Sequence, residues 1–382
     1  MNFVSRLTTA ASIVLCMGTV AFGQHYTQVN LVSNTPGVAP VTDPNLINPW
    51  GLTRSTGSPW WVSDNGSGVS TLYNGVGAIV PLIVTIPKAD PNDNTFPFGT
   101  PTGTVFNGRS TDFNLAPGAR AVFIFATLDG AIVGWNPGIQ PTSAVLAVKG
   151  AAGSSYTGLT ASFIEGNRFL YAANFSKGRV DVFDSAFHPV NVSGNNQQIP
   201  FTDNSLPINY VPFNVQAIGD NIVVTFVLDN PGSPAETDGP GLGYVDVFSS
   251  RGKLVQRLEH GSWLNAPWGV ALAPLDFGRF SHDLLIGQFA GASNTAGSGT
   301  IAAYNLVTGK FDGLVEDATG QPIAINGLWS LSSGNGASAN SSDPAGAPAA
   351  ELYFTAGSNQ ETGGLLGYLK PVGTELIEGN VQ

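Results

Sequence analysis

The residues able to do chemistry are sparse in this 382-residue chain: 26 acidic side chains, four histidines and a single cysteine. Cys16 lies in an apolar N-terminal stretch, so a thiol nucleophile is not expected in the working part of the chain. His25, His188, His260 and His282 are scattered without metal-ligand spacing. There is no Gly-x-Ser-x-Gly elbow, Walker A loop, dinucleotide-binding glycine triplet or His-Glu-x-x-His pair. Asp90-Pro91-Asn92-Asp93-Asn94 lacks the spacing and the closing Glu of an EF-hand, and reads as a surface turn. What does recur is Asp, Asn or Gln at turn positions. One set is Asp64 with Asn65, Asp129, Asn174, Asp229, Gln288 and Asn359. Another, Asn48, Asn214, Asn265 and Asn326, stands just before apolar runs.

Carboxylate and amide oxygens that converge suit a hard cation such as Ca²⁺, which takes six to eight oxygen ligands. Asp64, Asp129, Asn174 and Asp229 are the candidate metal ligands. The same oxygens, beside nearby Trp residues, suit a sugar. Asp and Asn also populate tight turns for purely local reasons, because they bond their own backbone and tolerate left-handed conformations. Asp181 and Asp246 occupy equivalent strand positions and are expected to face solvent or to steady a neighbouring turn.

The elements that must position these residues come from a repeat. A Gly is followed five residues later by an aromatic, with mostly alternating apolar residues between, six times: Gly68/Tyr73, Gly130/Trp135, Gly178/Phe183, Gly243/Phe248, Gly299/Tyr304 and Gly363/Tyr368. Successive copies are 48 to 65 residues apart. A β-rich run and a short polar turn precede each Gly, which makes a hairpin. Further strands flank it, for example around Pro49-Trp50-Gly51-Leu52 and Pro267-Trp268-Gly269-Val270 before it, and Leu82 to Ile86 after it.

Four antiparallel strands repeated six times predict an all-β, six-bladed β-propeller. The expected blades are 46–87, 103–149, 154–200, 211–260, 264–317 and 325–370, with a tail over 371–382. The last copy lacks a fourth strand, whereas 26–33 alternates as a strand should, so this segment is expected to close the ring. In such a ring the start of each first strand and each second-to-third turn share one face, which would gather the polar set around the channel mouth. Trp50, Trp268 and Trp329 recur in phase and read as packing residues between blades. A β-sandwich with a second domain is the other architecture considered; sixfold recurrence disfavours it.

Residues 1–23 read as a secretory leader: Arg6, an apolar run from Leu7 to Val20, then Ala21-Phe22-Gly23. The leader style implies a Gram-negative bacterium and a periplasmic or extracellular product without a membrane span. Only 11% of residues are charged, while 48 are Gly and 26 are Pro. This disfavours long charged helices and fits short strands with tight turns. The net charge of −11 disfavours nucleic acid as a partner. The loops 88–103, 229–242, 290–299 and 332–350 are expected to be long surface connections.

The strings Thr42 to Gly51, Trp61-Val62-Ser63-Asp64-Asn65, Tyr171-Ala172-Ala173-Asn174-Phe175, Val180 to Asp184, Leu264 to Gly269 and Leu352 to Gly357 resemble a group of secreted bacterial proteins of uncharacterised function. Some members carry a PEP-CTERM sorting tail, which the ending Glu378-Gly379-Asn380-Val381-Gln382 does not match. More broadly the repeats are similar to NHL-type propellers, which implies a binding platform. The same shape is used by calcium-dependent lactonases of the gluconolactonase and paraoxonase kind, but no acidic residue stands at a first-strand start to match their metal-binding glutamate. The expectation is therefore a monomeric, non-catalytic propeller that binds a protein or glycan on its channel face. The alternatives are a Ca²⁺-dependent hydrolase or lactonase and an envelope or matrix protein.

Overall fold

The computed structural model describes residues 24–194, 199–232, 235–289, 299–334 and 350–373. The leader 1–23, most of the tail and the interiors of the 290–299 and 332–350 loops lie outside them. The strands form a six-bladed β-propeller. Blade 1 runs Pro49–Thr53, Trp60–Asp64, Val69–Tyr73 and Ile79–Thr85; blade 2 runs Pro101–Phe106, Phe123–Thr127, Ala131–Trp135 and Val145–Lys149. Blade 4 holds Tyr210–Ile218, Asn221–Leu228, Tyr244–Ser249 and Leu254–Arg257. Blade 5 holds Pro267–Leu272, Leu284–Gln288, Ile301–Tyr304 and Phe311–Leu314.

Blade 6 is assembled from both ends of the chain. Leu328–Ser333, Leu352–Ala356 and Leu365–Pro371 are completed by Tyr26–Ser33, antiparallel to the last of them with Val29 opposite Tyr368. Tyr26 and Val32 are buried in that seam, so the N-terminal strand is part of the core.

Blade 3 departs from the four-stranded pattern. It has Tyr156–Ile164, Asn167–Asn174 and Arg179–Phe183, and no fourth strand among the described residues. The chain turns back after Phe183 and makes one bridge, Phe183 to Pro189, with the Val190 N–H donating to Val182 O. Pro189 has no N–H to extend the ladder. Blade 2 carries an additional small hairpin, Asn114–Ala116 with Ala119–Arg120, after its inner strand.

The core explains the sequence pattern. Second strands such as Trp60–Asp64 and Phe123–Thr127 are buried at every position, because neighbouring blades cover both faces. The outer strand Ile79–Thr85 alternates toward solvent. One apolar cluster fills each gap between adjacent blades, as where Trp61 and Leu72 of blade 1 meet Phe123 and Trp135 of blade 2. The aromatic that closes each repeat feeds these clusters: Tyr73, Trp135, Phe183, Phe248 and Tyr304 are buried, and Tyr368 is half-buried.

Candidate functional site

The six inner strands meet on the propeller axis, and glycine sets how closely they approach. A Cβ on Gly103 would lie 2.2 Å from Leu159 N, and one on Gly158 would lie 2.1 Å from Asn214 Oδ1. The channel is therefore nearly closed, with about 20 Å³ left among residues such as Gly51, Asn214 and Trp268, room for about one water.

An aromatic layer caps this constriction. Trp50 and Trp329 stack with centroids 3.6 Å apart, and Phe289 stacks on the other face of the group at 3.7 Å from Trp329. Trp268 meets both indoles edge-on at 6.0 and 5.5 Å. The three in-phase Trp residues thus pack together at the axis. Above them is a pocket of about 140 Å³. Trp50, Trp329, Phe175 and Phe213 are its aromatic walls, and Glu236 and Glu361 are its carboxylates. Ser155 and Thr157 add hydroxyls at its edge.

Each carboxylate is delivered by a second-to-third connection. Glu236 belongs to the long loop between Asn221–Leu228 and Tyr244–Ser249 of blade 4. Glu361 sits in the blade 6 turn, where Asn359, Gln360 and Glu361 all have left-handed φ of 53°, 54° and 63°. Left-handed backbone costs a non-glycine residue on the order of 1 kcal/mol or more, and three in succession mark a turn held in place by its surroundings. Asn359 Nδ2 donates to Thr362 Oγ1 at 2.8 Å, and that hydroxyl donates to Asn359 O at 2.7 Å. Asn48 completes the support: Trp329 Nε1 donates to Asn48 Oδ1 at 2.8 Å, and Asn48 Nδ2 donates to Glu361 Oε2 at 3.2 Å.

The electrostatics are one-sided. Burial, and then the charges of Glu361 and Asp238, push Glu236 up to about 7. Burial also raises Glu361, opposed by its hydrogen bond from Asn48. Among the described residues no Lys, Arg or His lines the pocket.

The eleven residues singled out from the sequence are spread among the blades. Asn48 buttresses the pocket as above. Asp64 is fully buried, with Oδ2 accepting from the Thr71 N–H at 3.0 Å and its hydroxyl at 2.7 Å. Burial holds this carboxyl well above the usual range. Asn65 donates to Pro101 O, Asp129 Oδ2 accepts from the Ala89 N–H, and Asn174 donates to Asp181 and to Ser154. Asn214 donates to Trp268 O within the constriction. Asn265 Oδ1 accepts from the Gly239 N–H, and its own N–H donates to Gln288 Oε1. Asn326 Oδ1 accepts from the Asn359 N–H, and the Asp229 N–H donates to Asn209 O. Among the described residues no group of three or more His, Cys, Asp or Glu side chains could hold a metal ion. Asp64, Asp129 and Asp229 are therefore not drawn into one cluster.

Of the two strand aspartates, Asp181 steadies its neighbouring turn through Asn174, as expected, whereas Asp246 departs from expectation. Asp246 is fully buried and pairs with Arg257 at 3.2 Å, which also contacts Asp203. Asp181 accepts from Tyr156 and Asn174 and pairs with Arg179 at 2.6 Å. Glu236 and Glu361 went unmarked in the sequence because neither belongs to a motif. The available signal was positional: extending the channel-face rule from one residue per turn to the whole connection would have included both.

No protein-family model matches the chain. Its relatives among curated proteins include two uncharacterised proteins of Acanthamoeba polyphaga mimivirus. One is 29% identical over 351 residues, covering 89% of this chain and 84% of the relative. The other is 27% identical over 342 residues, covering 88% and 78%. These relatives are viral, and they lend no support to the bacterial placement drawn from the leader. Similar solved structures include the PQQ-bound aldose sugar dehydrogenase of Streptomyces coelicolor, at 13% identity and TM-score 0.49, over 92% of this chain and 99% of that one. Virginiamycin B lyase of Staphylococcus aureus follows at 10% and 0.44, over 92% and 100%. A gluconolactonase of Xanthomonas campestris gives 13% and 0.38, over 67% and 84%. Likeness at this level says nothing about activity. Among the described residues no helix is long and apolar enough to cross a membrane.

Proposed function

We propose that this protein is a non-catalytic binding propeller whose ligand enters the axial pocket above Trp50 and Trp329. The observation that carries this reading is the pocket itself: aromatic walls, two carboxylates and a closed floor. Binding sites are typically concave and mainly apolar, with a few convergent polar groups, and the strained turn that presents Glu361 is the kind of cost found at functional positions. The closed floor makes the site a cup rather than a passage. Two wider grooves at the rim, beside Val182 and Val190 and beside Leu72 and Val80, are mostly apolar and lack such convergence. We further propose export through the 1–23 leader and a monomeric state.

A hydrolase is the second reading, favoured by Glu236, which burial and its acidic neighbours bring to about 7 and so to a useful proton affinity at neutral pH. The deciding experiment is a thermal-shift screen of small sugars, amines and peptides, with and without Ca²⁺. It is paired with turnover assays on lactone and glycoside substrates, using wild type, Glu236→Gln and Glu361→Gln. Binding reading: ligand shifts weakened by the variant, and no turnover. Turnover lost in Glu236→Gln would replace it with the hydrolase, and shifts unaffected by either variant would place the site elsewhere.

A further inference from the structure

We propose that the axial pocket selects an organic cation, an alkylated ammonium or guanidinium head group; this rests on the binding reading above and specifies its ligand. Among the described residues the pocket's charge has no complement in its own walls. Two carboxylates, Glu236 and Glu361, share the pocket, and Asp238 lies close enough to add to their charge. Among the described residues no basic side chain lines it. Elsewhere in the chain the buried Asp246 has Arg257 as its counter-charge, and the buried Asp64 has the Thr71 N–H and hydroxyl as donors. Like charges gathered away from water are unfavourable unless a counter-charge arrives.

The walls favour an organic cation over a bare metal ion or a neutral polyol. Trp50, Phe175 and Phe213 present aromatic surface beside the carboxylates, while Trp329 is stacked between Trp50 and Phe289; a cation over an aromatic face gains ~0.5–2 kcal/mol. Ca²⁺ takes six to eight oxygen ligands, more than two carboxylates and the Ser155 and Thr157 hydroxyls supply. A volume of about 140 Å³ is close to what a benzene-sized group fills, which suits a compact head group. Trp50 is 5% exposed, and its buried Nε1 has no acceptor among the described residues. The free head group and the same group on a Lys or Arg side chain share this chemistry.

Binding should also release a proton. The titratable groups facing Glu236 are Glu361 and Asp238; the remaining walls are aromatic residues, Leu128, Ala235, Ser155 and Thr157. Since Glu236 sits near 7 when the pocket is empty, a cation that needs it ionised binds more tightly as pH rises. Between pH 5.5 and 8 the ionised fraction, and with it the affinity, grows up to roughly 30-fold.

The test is titration of wild type, Glu236→Gln and Glu361→Gln, read by calorimetry and tryptophan fluorescence. Probes are choline, its neutral isostere 3,3-dimethyl-1-butanol, guanidinium chloride, N-acetyl-lysine methylamide, glucose, and NaCl as ionic-strength control. The expected result is choline or guanidinium binding at least about tenfold more tightly than the neutral isostere, equivalent to ~1.4 kcal/mol. Each variant should weaken the cation several-fold and leave the isostere unchanged, and Glu236→Gln should flatten the pH dependence. Tighter binding of the lysine amide than of choline would assign the head group to a peptide. Equal binding of the isostere, or cation binding indifferent to both variants, overturns the proposal. Glucose binding that the variants weaken would overturn it while leaving the binding reading intact. No variant-sensitive binding of any probe would sink both.

Discussion

At the scale of single residues, the recurring turn polars do structural work, and Asp64 shows why. Its position at the end of a second strand aims the carboxylate back across the hairpin at Thr71, where it satisfies a backbone N–H and a hydroxyl. Removing it leaves both donors buried without an acceptor, so Asp64→Ala should cost about 2–3 kcal/mol in denaturant unfolding. Asp64→Asn keeps an acceptor oxygen and avoids burying a charge. It should cost under about 1 kcal/mol at pH 8, where the wild-type carboxyl is least comfortable. Equal losses in the two variants would show that charge, and not acceptor geometry, is what matters there. Asp and Asn at such turns were visible in the sequence, but their direction was not. Whether a turn oxygen faces the axis or its own hairpin depends on side-chain rotation and on the neighbouring blade, neither of which leaves a trace in composition.

At the scale of elements, the ring is closed by Tyr26–Ser33, whose partner lies more than 330 residues away in sequence. Tyr26, Leu31 and Val32 are buried on it, and the Tyr26 hydroxyl donates to Phe277 O at 2.7 Å. Deleting residues 24–33 should cost roughly 5 kcal/mol or more from lost apolar burial alone. It would also uncover Leu365–Pro371 as an edge strand, so the truncated chain should unfold at lower denaturant and self-associate on size-exclusion chromatography. Unchanged unfolding would show that the seam contributes little. This closure was legible because an alternating strand at one end matched a missing strand at the other. The three-stranded blade 3 was not: Phe183 and its surroundings repeat faithfully, and the pattern gives no warning that Pro189 stops the ladder after one bridge.

At the scale of the whole molecule, several acids are held above their ordinary range by burial. Glu236 and Asp246 lie at about 7 and Asp283 at about 6, and burial also holds Asp64 well above its usual range. An acid whose pKa is raised on folding binds more protons in the folded state than in the unfolded one, so stability falls as pH climbs through that window. The melting temperature should therefore be higher at pH 5 than at pH 8. Asp90, Asp93, Asp203 and Asp317 are lowered by local hydrogen bonds or cations and set the acid limit below about pH 4. A melting temperature that rises from pH 5 to pH 8 would contradict this balance. The sequence by itself determined the number of blades, their antiparallel order and the closure by the N-terminal strand. Those follow from period-two burial and a sixfold recurrence, which are properties of the chain read in order. Only the tertiary structure decided the site: Trp50, Trp329, Glu236 and Glu361 come from blades 1, 4 and 6 and share a pocket because ring closure brings distant turns onto one axis. Proximity of that kind is set by three-dimensional packing, and no spacing along the chain encodes it.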